Sequence, residues 1–257
     1  MNSLNHKVVC ITGASSGIGE ACAVEFAKLG ASLLISARRK ERIDALAERL
    51  RKKHGVSVHG FALDVRDQPV VEKTFASLPE EWRSIDVLVN NAGLSRGLIK
   101  LHEGSIQDWE EMIDTNFKGL LYVTRAILPG MVGRNSGHVI NIGSIAGQQV
   151  YPNGNVYCAT KFAVAALSQG LRLDLLGTDV RVSSVDPGLV ETEFSEVRFR
   201  GDTERAAQVY HNIRPLTGQD IAEMVVFCAT RPPHVDICQV VAMSIDQASV
   251  NHVHRKG

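Results

Sequence analysis

The chain has 257 residues, enough for one sizeable core, and no Pro/Gly/Ser-rich linker, internal repeat or low-complexity tract divides it, so residues 1–257 read as a single domain. Its 28 Lys and Arg balance 28 Asp and Glu, which argues against nucleic acid or an anionic membrane as the main partner and in favour of a small molecule. The N-terminus reaches a strand-like run at 8–11 too soon for a secretory signal, and no apolar stretch has membrane length, so a cytoplasmic protein is expected.

Strand 8–11 is followed by Thr12-Gly13-Ala14-Ser15-Ser16-Gly17-Ile18-Gly19 and then by helical apolar spacing over 20–29. Glycines let a backbone turn sharply and approach a diphosphate, while the start of the helix offers unpaired N–H groups and a positive dipole end. The spacing is Gly-x-x-x-Gly-x-Gly rather than the commoner Gly-x-Gly-x-x-Gly, yet the strand–turn–helix setting is the one a dinucleotide loop requires. Strand 32–36 then leads to Ala37-Arg38-Arg39, where an NAD site usually places an acid on the ribose 2′-hydroxyl. Guanidinium groups suit a 2′-phosphate instead, so these residues point to NADP, with Arg38 ahead of Arg39. The plainer alternative is that Arg39-Lys-Glu-Arg42 begins a solvated helix.

Helix 41–53, strand 56–62, helix 68–78 and strand 86–89 continue an alternation that predicts an α/β fold, a doubly wound and mainly parallel sheet covered on both faces. Asp64-Val65, after the third strand, is placed to meet an adenine. Asn90-Asn91-Ala92-Gly93, after the fourth, has small residues that let a cofactor pass close by; both segments also fit ordinary turn chemistry. Residues 108–132 read as one long helix or two abutting ones, with Asn116, a poor helix former, in the interior. Strand 138–143 is apolar and ends at Ser144, a hydroxyl able to hydrogen-bond a carbonyl oxygen.

In Tyr157-Cys-Ala-Thr-Lys161 a phenol and an ammonium four residues apart share one helix face. Free Tyr titrates near ~10, so acid–base work near neutrality needs roughly 4 kcal/mol in favour of the phenolate, and a neighbouring Lys has the right sign. Alone, such a pair is more often a surface feature; its company decides. Helix 156–176 is apolar nearly all round, and a second subunit is the natural cover for the face the sheet leaves free, so a homo-oligomer is expected. Strand 180–185 runs into Asp186-Pro187-Gly188-Leu189-Val190-Glu191-Thr192, and the polar, basic segment within 189–214 has the character of a substrate lid. Helix 219–230 and an apolar stretch at 240–245 close the sheet edge. The five cysteines lack a Cys-x-x-Cys pair and read as reduced core residues, Cys158 being the one placed to be accessible; His252-x-His254 is too little for a metal site.

Taken in order, Thr12-Gly-x-x-x-Gly-x-Gly19, Asn90-Asn-Ala-Gly93, Asn116, Ser144, Tyr157-x-x-x-Lys161 and Pro187-Gly188 make the chain resemble the short-chain dehydrogenase/reductase family over nearly its whole length. The resemblance implies a Rossmann-type sheet of about seven strands, a nicotinamide cofactor, a tetramer, and Tyr157 as general acid or base. It further implies that Lys161 lowers the Tyr157 pKa and holds the nicotinamide ribose, that Ser144 polarises the substrate oxygen, and that Asn116 anchors a water in a proton relay reaching Lys161. The implied cofactor surface comprises Gly13, Ser15, Ser16, Gly17, Ile18, Gly19, Arg38, Arg39, Asp64, Val65, Asn91, Ala92, Gly93, Tyr157, Lys161, Pro187, Gly188, Val190 and Thr192.

Within the family, Ile85-Asp-Val-Leu-Val-Asn-Asn-Ala-Gly-Leu94, Asp108-Trp-Glu-Glu-Met-Ile-Asp-Thr-Asn116, Gly154-Asn-Val-Tyr157 and residues 187–201 are similar to NADP-dependent 3-hydroxy acid dehydrogenases, a group acting on L-serine, L-allo-threonine, 3-hydroxypropionate and malonic semialdehyde. Sulfoacetaldehyde reductases and broad carbonyl reductases are similar as well. Gln148-Gln149, Cys158 and bulky Phe162 depart from the usual pattern near the expected pocket. The implied reaction is reversible hydride transfer between NADP and a small 3-hydroxy acid or its semialdehyde or keto form. A non-catalytic dinucleotide sensor would have no use for Asn116, Ser144, Tyr157 and Lys161 together. A small acid in an apolar pocket needs a matched cation, for which Arg198 in Phe194-Ser-Glu-Val-Arg-Phe199 is the choice, Arg96 and Arg200 its rivals, and Tyr151 an added hydroxyl. The bland alternative is a solvated Arg198 with no ligand.

Overall fold

Runs of aliphatic residues become strands wherever both faces can be covered, and β1 (Val8–Thr12) and β2 (Ser32–Ala37) are buried almost throughout. The computed structural model describes residues 4–257. Between the two strands, α1 (Gly17–Lys28) turns Cys22, Ala23, Phe26 and Ala27 inward. The next helix, α2 (Lys40–His54), is charged outside and buries Ile43, Leu46, Ala47 and Leu50, a spacing of three and four that makes one face. It ends where Gly55 adopts φ 67°, the left-handed cap that glycine takes without strain. The chain continues through β3 (Val58–Ala62), α3 (Gln68–Ala76), the one-turn α4 (Glu80–Arg83) that the sequence reading passes over, and β4 (Ile85–Asn90). Asp67 caps α3 by accepting from the Val70 N–H at 3.1 Å.

Residues 108–132 divide into α5 (Ile106–Ile113) and α6 (Gly119–Gly133), joined by a π-helical turn over Asp114–Lys118 that contains Asn116. A π turn inserts an extra residue and is common at functional sites, which gives this poor helix former its place. Then follow β5 (Gly137–Ile142), α7 (Asn155–Asp174), β6 (Val180–Pro187), β7 (Val190–Glu191), α8 (Phe194–Arg198), α9 (Thr203–Tyr210), β8 (Leu216–Thr217), α10 (Gly218–Ala229) and β9 (Gln239–Ala242).

Seven strands form one sheet in the order β3-β2-β1-β4-β5-β6-β9, every pairing parallel, while β7 and β8 pair separately. This is the doubly wound sheet the alternation predicts. One apolar cluster joins the sheet to α1, α2 and α10, the other to α3, α6 and α7. The strand order reverses between β1 and β4, and a ligand crevice is expected outside the carboxyl ends of the strands there.

Two expectations change. Cys158 is buried, and the exposed thiol is Cys238, because the residue after Tyr157 turns about 100° around the helix, away from the face that Tyr157 presents. The last strand stops at Ala242, and Ile245 is 85% exposed beyond it. On α7, Phe162 and Leu173 are exposed at 42% and 76%, so that helix keeps an uncovered apolar face. No helix among the described residues is long and apolar enough to cross a membrane.

Candidate active site

The Gly-rich turn lies directly on the segment that follows β4. Gly13 has φ 66°, and a Cβ there would fall 2.9 Å from the Ala92 Cα, so no larger residue fits the turn as built. Thr12 Oγ1 accepts from the backbone N–H groups of Asn91 and Ala92, each at 3.1 Å. Asn91 Nδ2 donates back to the carbonyls of Thr12 and Gly13 at 2.9 and 3.1 Å. These bonds fix one wall of the crevice. Behind it, Asn90 Nδ2 donates to Thr124 and Asn141 at 2.9 Å, and Asn141 donates to Ser168 at 2.9 Å, a buried polar line from β4 to α7. Thr12, Asn141 and Ser168 are polar residues inside apolar runs, a signal visible in the sequence, but only the fold joins them to the cleft wall.

A cleft of about 580 Å³ runs over the carboxyl ends of the strands. Every residue expected to meet the cofactor lines it except Gly19. Gly19 sits beneath the turn, where a Cβ would come 2.5 Å from the Gly13 carbonyl oxygen, and its role is close packing. None of the departures Gln148, Gln149, Cys158 and Phe162 is among the lining residues. Gln148 instead donates to buried Asp186 at 3.0 Å, and Gln149 accepts from the Val250 N–H at 3.1 Å. The tail adds Val250, Val253 and Arg255 to the wall, which the sequence reading left out.

At the adenosine end, Arg39 donates from Nε and Nη2 to Ser15 Oγ at 3.2 and 2.9 Å and from Nη2 to Ser16 Oγ at 2.9 Å. Its Nη1 donates to Glu193 Oε2 at 2.8 Å, and Arg42 Nη1 donates to Glu193 Oε1 at 2.6 Å. The Arg38 side chain is 53% exposed and lies 4.0 Å from Glu111. Thus Arg39 is tied onto the Gly-rich turn, while the Arg38 side chain stays half exposed beside it. Arg66 grips Asp64 and holds its carboxyl below the usual range.

The reacting end gathers Ser144, Tyr157 and Lys161. Ser144 begins a 3₁₀ turn and accepts from the Ala146 N–H at 3.1 Å. Lys161 Nζ donates to the Ile142 carbonyl at 2.9 Å and lies 5.9 Å from the Tyr157 ring centre. Burial lowers the Lys161 pKa to about 8, opposed by the charge of Asp186. Burial raises that of Tyr157, and the opposing pulls come from Arg198 and from a hydrogen bond with Ser144. Asn116 lies just outside the cleft: Oδ1 accepts from the Leu94 N–H at 2.8 Å, and Nδ2 donates to the Leu94 carbonyl at 2.8 Å and to Thr160 at 3.1 Å. Its side chain is therefore a backbone clamp on the segment after Gly93.

At the far end, the Arg198 guanidinium carbon sits 5.5 Å from the Tyr157 ring centre and 5.1 Å from that of Phe194. Its Nη2 donates to Tyr151 Oη at 3.3 Å, while its Nε is buried with no partner. No carboxylate among the described residues pairs with Arg198. The two rivals are neutralised: Arg96 by Glu111 at 2.7 and 2.9 Å, and Arg200 by Asp108.

Residues 7–202 match the short chain dehydrogenase family, and this chain belongs to that family. Among its relatives, an NADP-dependent 3-hydroxy acid dehydrogenase of Salmonella typhi is 52% identical over 250 residues, covering 96% of this chain and 99% of that one. A protein of the same description from Schizosaccharomyces pombe is 45% identical, over 100% of this chain and 99% of its own. The solved closed form of a serine dehydrogenase complexed with NADP+ superposes with a TM-score of 0.90 at 47% identity, covering 97% of this chain and all of that one.

Proposed function

We propose that this protein is an NADP-dependent oxidoreductase that reversibly moves hydride between the cofactor and a small 3-hydroxy acid or its semialdehyde or keto form. The observation that carries the reading is Arg198, a carboxylate-free guanidinium with a buried, unpartnered Nε held over the Tyr157 ring. A ligand carboxylate would satisfy it with paired charge-assisted bonds. The names of the relatives support the same substrate class.

The residues present fit a dinucleotide. Gly13 and Gly93 leave space that a Cβ would fill against Ala92 and Asn116, and Arg39, Ser15 and Ser16 form a donor set suited to a 2′-phosphate. Bound NADP supplies the hydride acceptor, and NADPH the donor. Tyr157 Oη gives or takes the proton at the substrate oxygen, which Ser144 polarises. Lys161 serves the nicotinamide ribose and favours the Tyr157 phenolate once its ammonium leaves the Ile142 carbonyl. Asn116 holds the backbone that a proton relay to Lys161 would follow. Arg198, helped by Tyr151, fixes the acid group, and residues 189–214 act as the lid that excludes water from the transfer. The whole of 1–257 works as one domain, in the cytoplasm, and a homo-oligomer, a tetramer by family likeness, covers the open face of α7.

The test is to follow nicotinamide absorbance with NADPH and malonic semialdehyde, and with NADP and L-serine or 3-hydroxypropionate, running NAD(H) alongside. Turnover preferring the phosphorylated cofactor is expected; none with any of these acids contradicts the proposal. A sulfonate presents the same charge to Arg198, so sulfoacetaldehyde belongs in the panel. Its faster reduction would move the assignment to the sulfonate.

A further inference from the structure

We infer that Glu193 is an internal competitor for the cofactor's 2′-phosphate and thereby sets how strongly the site selects NADP over NAD, an inference that rests on the NADP reading above. The Glu193 side chain is 35% exposed at the mouth of the cleft, between β7 and α8. Its two oxygens are taken by Arg39 at 2.8 Å and Arg42 at 2.6 Å, residues 154 and 151 positions earlier. Burial resists ionisation of this carboxyl, but the hydrogen bonds from Arg39 and Arg42 outweigh it and hold the pKa below the ordinary range. The carboxylate is therefore charged at neutral pH.

The other two nitrogens of the Arg39 fork point at Ser15 and Ser16, so one guanidinium, two hydroxyls and a carboxylate converge where β2 and the Gly-rich turn meet. A 2′-phosphate arriving there seeks the same charge-assisted bonds that Glu193 already takes from Arg39. A neutral ribose hydroxyl meets the opposite circumstance: it has a proton to give, and a carboxylate at the end of β2 is what NAD sites use to accept it. The strand β2 lacks that acid, being followed by Arg38 and Arg39, and Glu193 brings a carboxylate to Arg39 from the segment between β7 and α8. The site thus contains an element suited to each cofactor, with the carboxylate opposing the phosphate.

Titration calorimetry with 2′,5′-ADP and with 5′-AMP, on the full chain and on Glu193→Gln, separates this inference from the reading beneath it. If the unaltered protein does not prefer 2′,5′-ADP, the NADP reading itself is contradicted. Given that preference, Glu193→Gln is expected to bind 2′,5′-ADP about fivefold tighter, the size of a partly exposed ion pair removed, while 5′-AMP binds no better than before. Glu193→Ala should move in the same direction, so a folding defect in one variant leaves the other to decide. Unchanged or weaker binding of 2′,5′-ADP by a folded variant, or an equal gain for both nucleotides, overturns the role assigned to Glu193.

Discussion

The two ends of the cleft are built by opposite rules. Around the Gly-rich turn the side chains are paired: Thr12 and Asn91 stitch the turn to the segment after β4 through backbone hydrogen bonds, and Arg39 holds Ser15 and Ser16. At the substrate end, the wall includes the five-residue α8, and its central cation has an unpartnered nitrogen. Paired groups hold a shape in advance of any ligand, whereas a buried polar group without a partner costs about 1–3 kcal/mol until one arrives. One end is tied in place by its own hydrogen bonds, and the other keeps a cation with a donor to spare.

Tyr157 stands between the two ends, so its removal should separate binding from chemistry most widely. Tyr157→Phe should lower kcat by about 10²- to 10⁴-fold and leave NADPH affinity, read by nicotinamide fluorescence, near its original value. Near-normal turnover would remove Tyr157 from the acid–base role.

Lys161, beside Tyr157 between the two ends, tests what a buried charge costs there. Its pKa in the folded chain is lowered from 10.5 to about 8, so below pH 8 the fold bears the cost of burying a charge that the unfolded chain leaves in water. Between about 8 and 10.5 the unfolded chain binds more protons, and stability rises with pH by up to roughly 3 kcal/mol. Lys161→Met should lose that rise, as measured by denaturant midpoints at pH 7 and 10. Parallel pH profiles for the two proteins would refute it.

Arg39 sharpens the same comparison from the cofactor side. Arg39→Ala should weaken NADP binding by about 1.5–3 kcal/mol and NAD binding by much less, and Arg38→Ala should have the smaller effect of the two. Equal losses with both cofactors would make Arg39 a prop for the Gly-rich turn.

The preformed end was largely legible in the sequence because its signals are local: a Gly-rich turn between an apolar strand and a helix, and small residues after β4. Asn116 announced itself as a misfit in a helix, although nothing local specified the π turn around it. Which of two adjacent arginines turns onto the turn was not legible, since neighbouring residues at a strand end point to opposite sides. The substrate end was harder to read. Arg198 could be nominated by position, but its claim over Arg96 and Arg200 depends on Glu111 and Asp108 neutralising those two, and the Glu193 bridge joins residues more than 150 positions apart. Pairings of that kind are made by the fold. The departures at Gln148, Gln149, Cys158 and Phe162 raised doubt about the pocket for the same reason, since only the packing turns them away from it.

The most direct test of the central claim is the ratio of kcat/KM for a 3-hydroxy acid to that for an uncharged alcohol of similar size, measured in Arg198→Ala and in the unaltered protein. The account predicts a loss of about 2–4 kcal/mol for the acid and little change for the alcohol, so the ratio collapses. An equal loss for both would mean that Arg198 serves folding or lid closure and that the acid is held elsewhere.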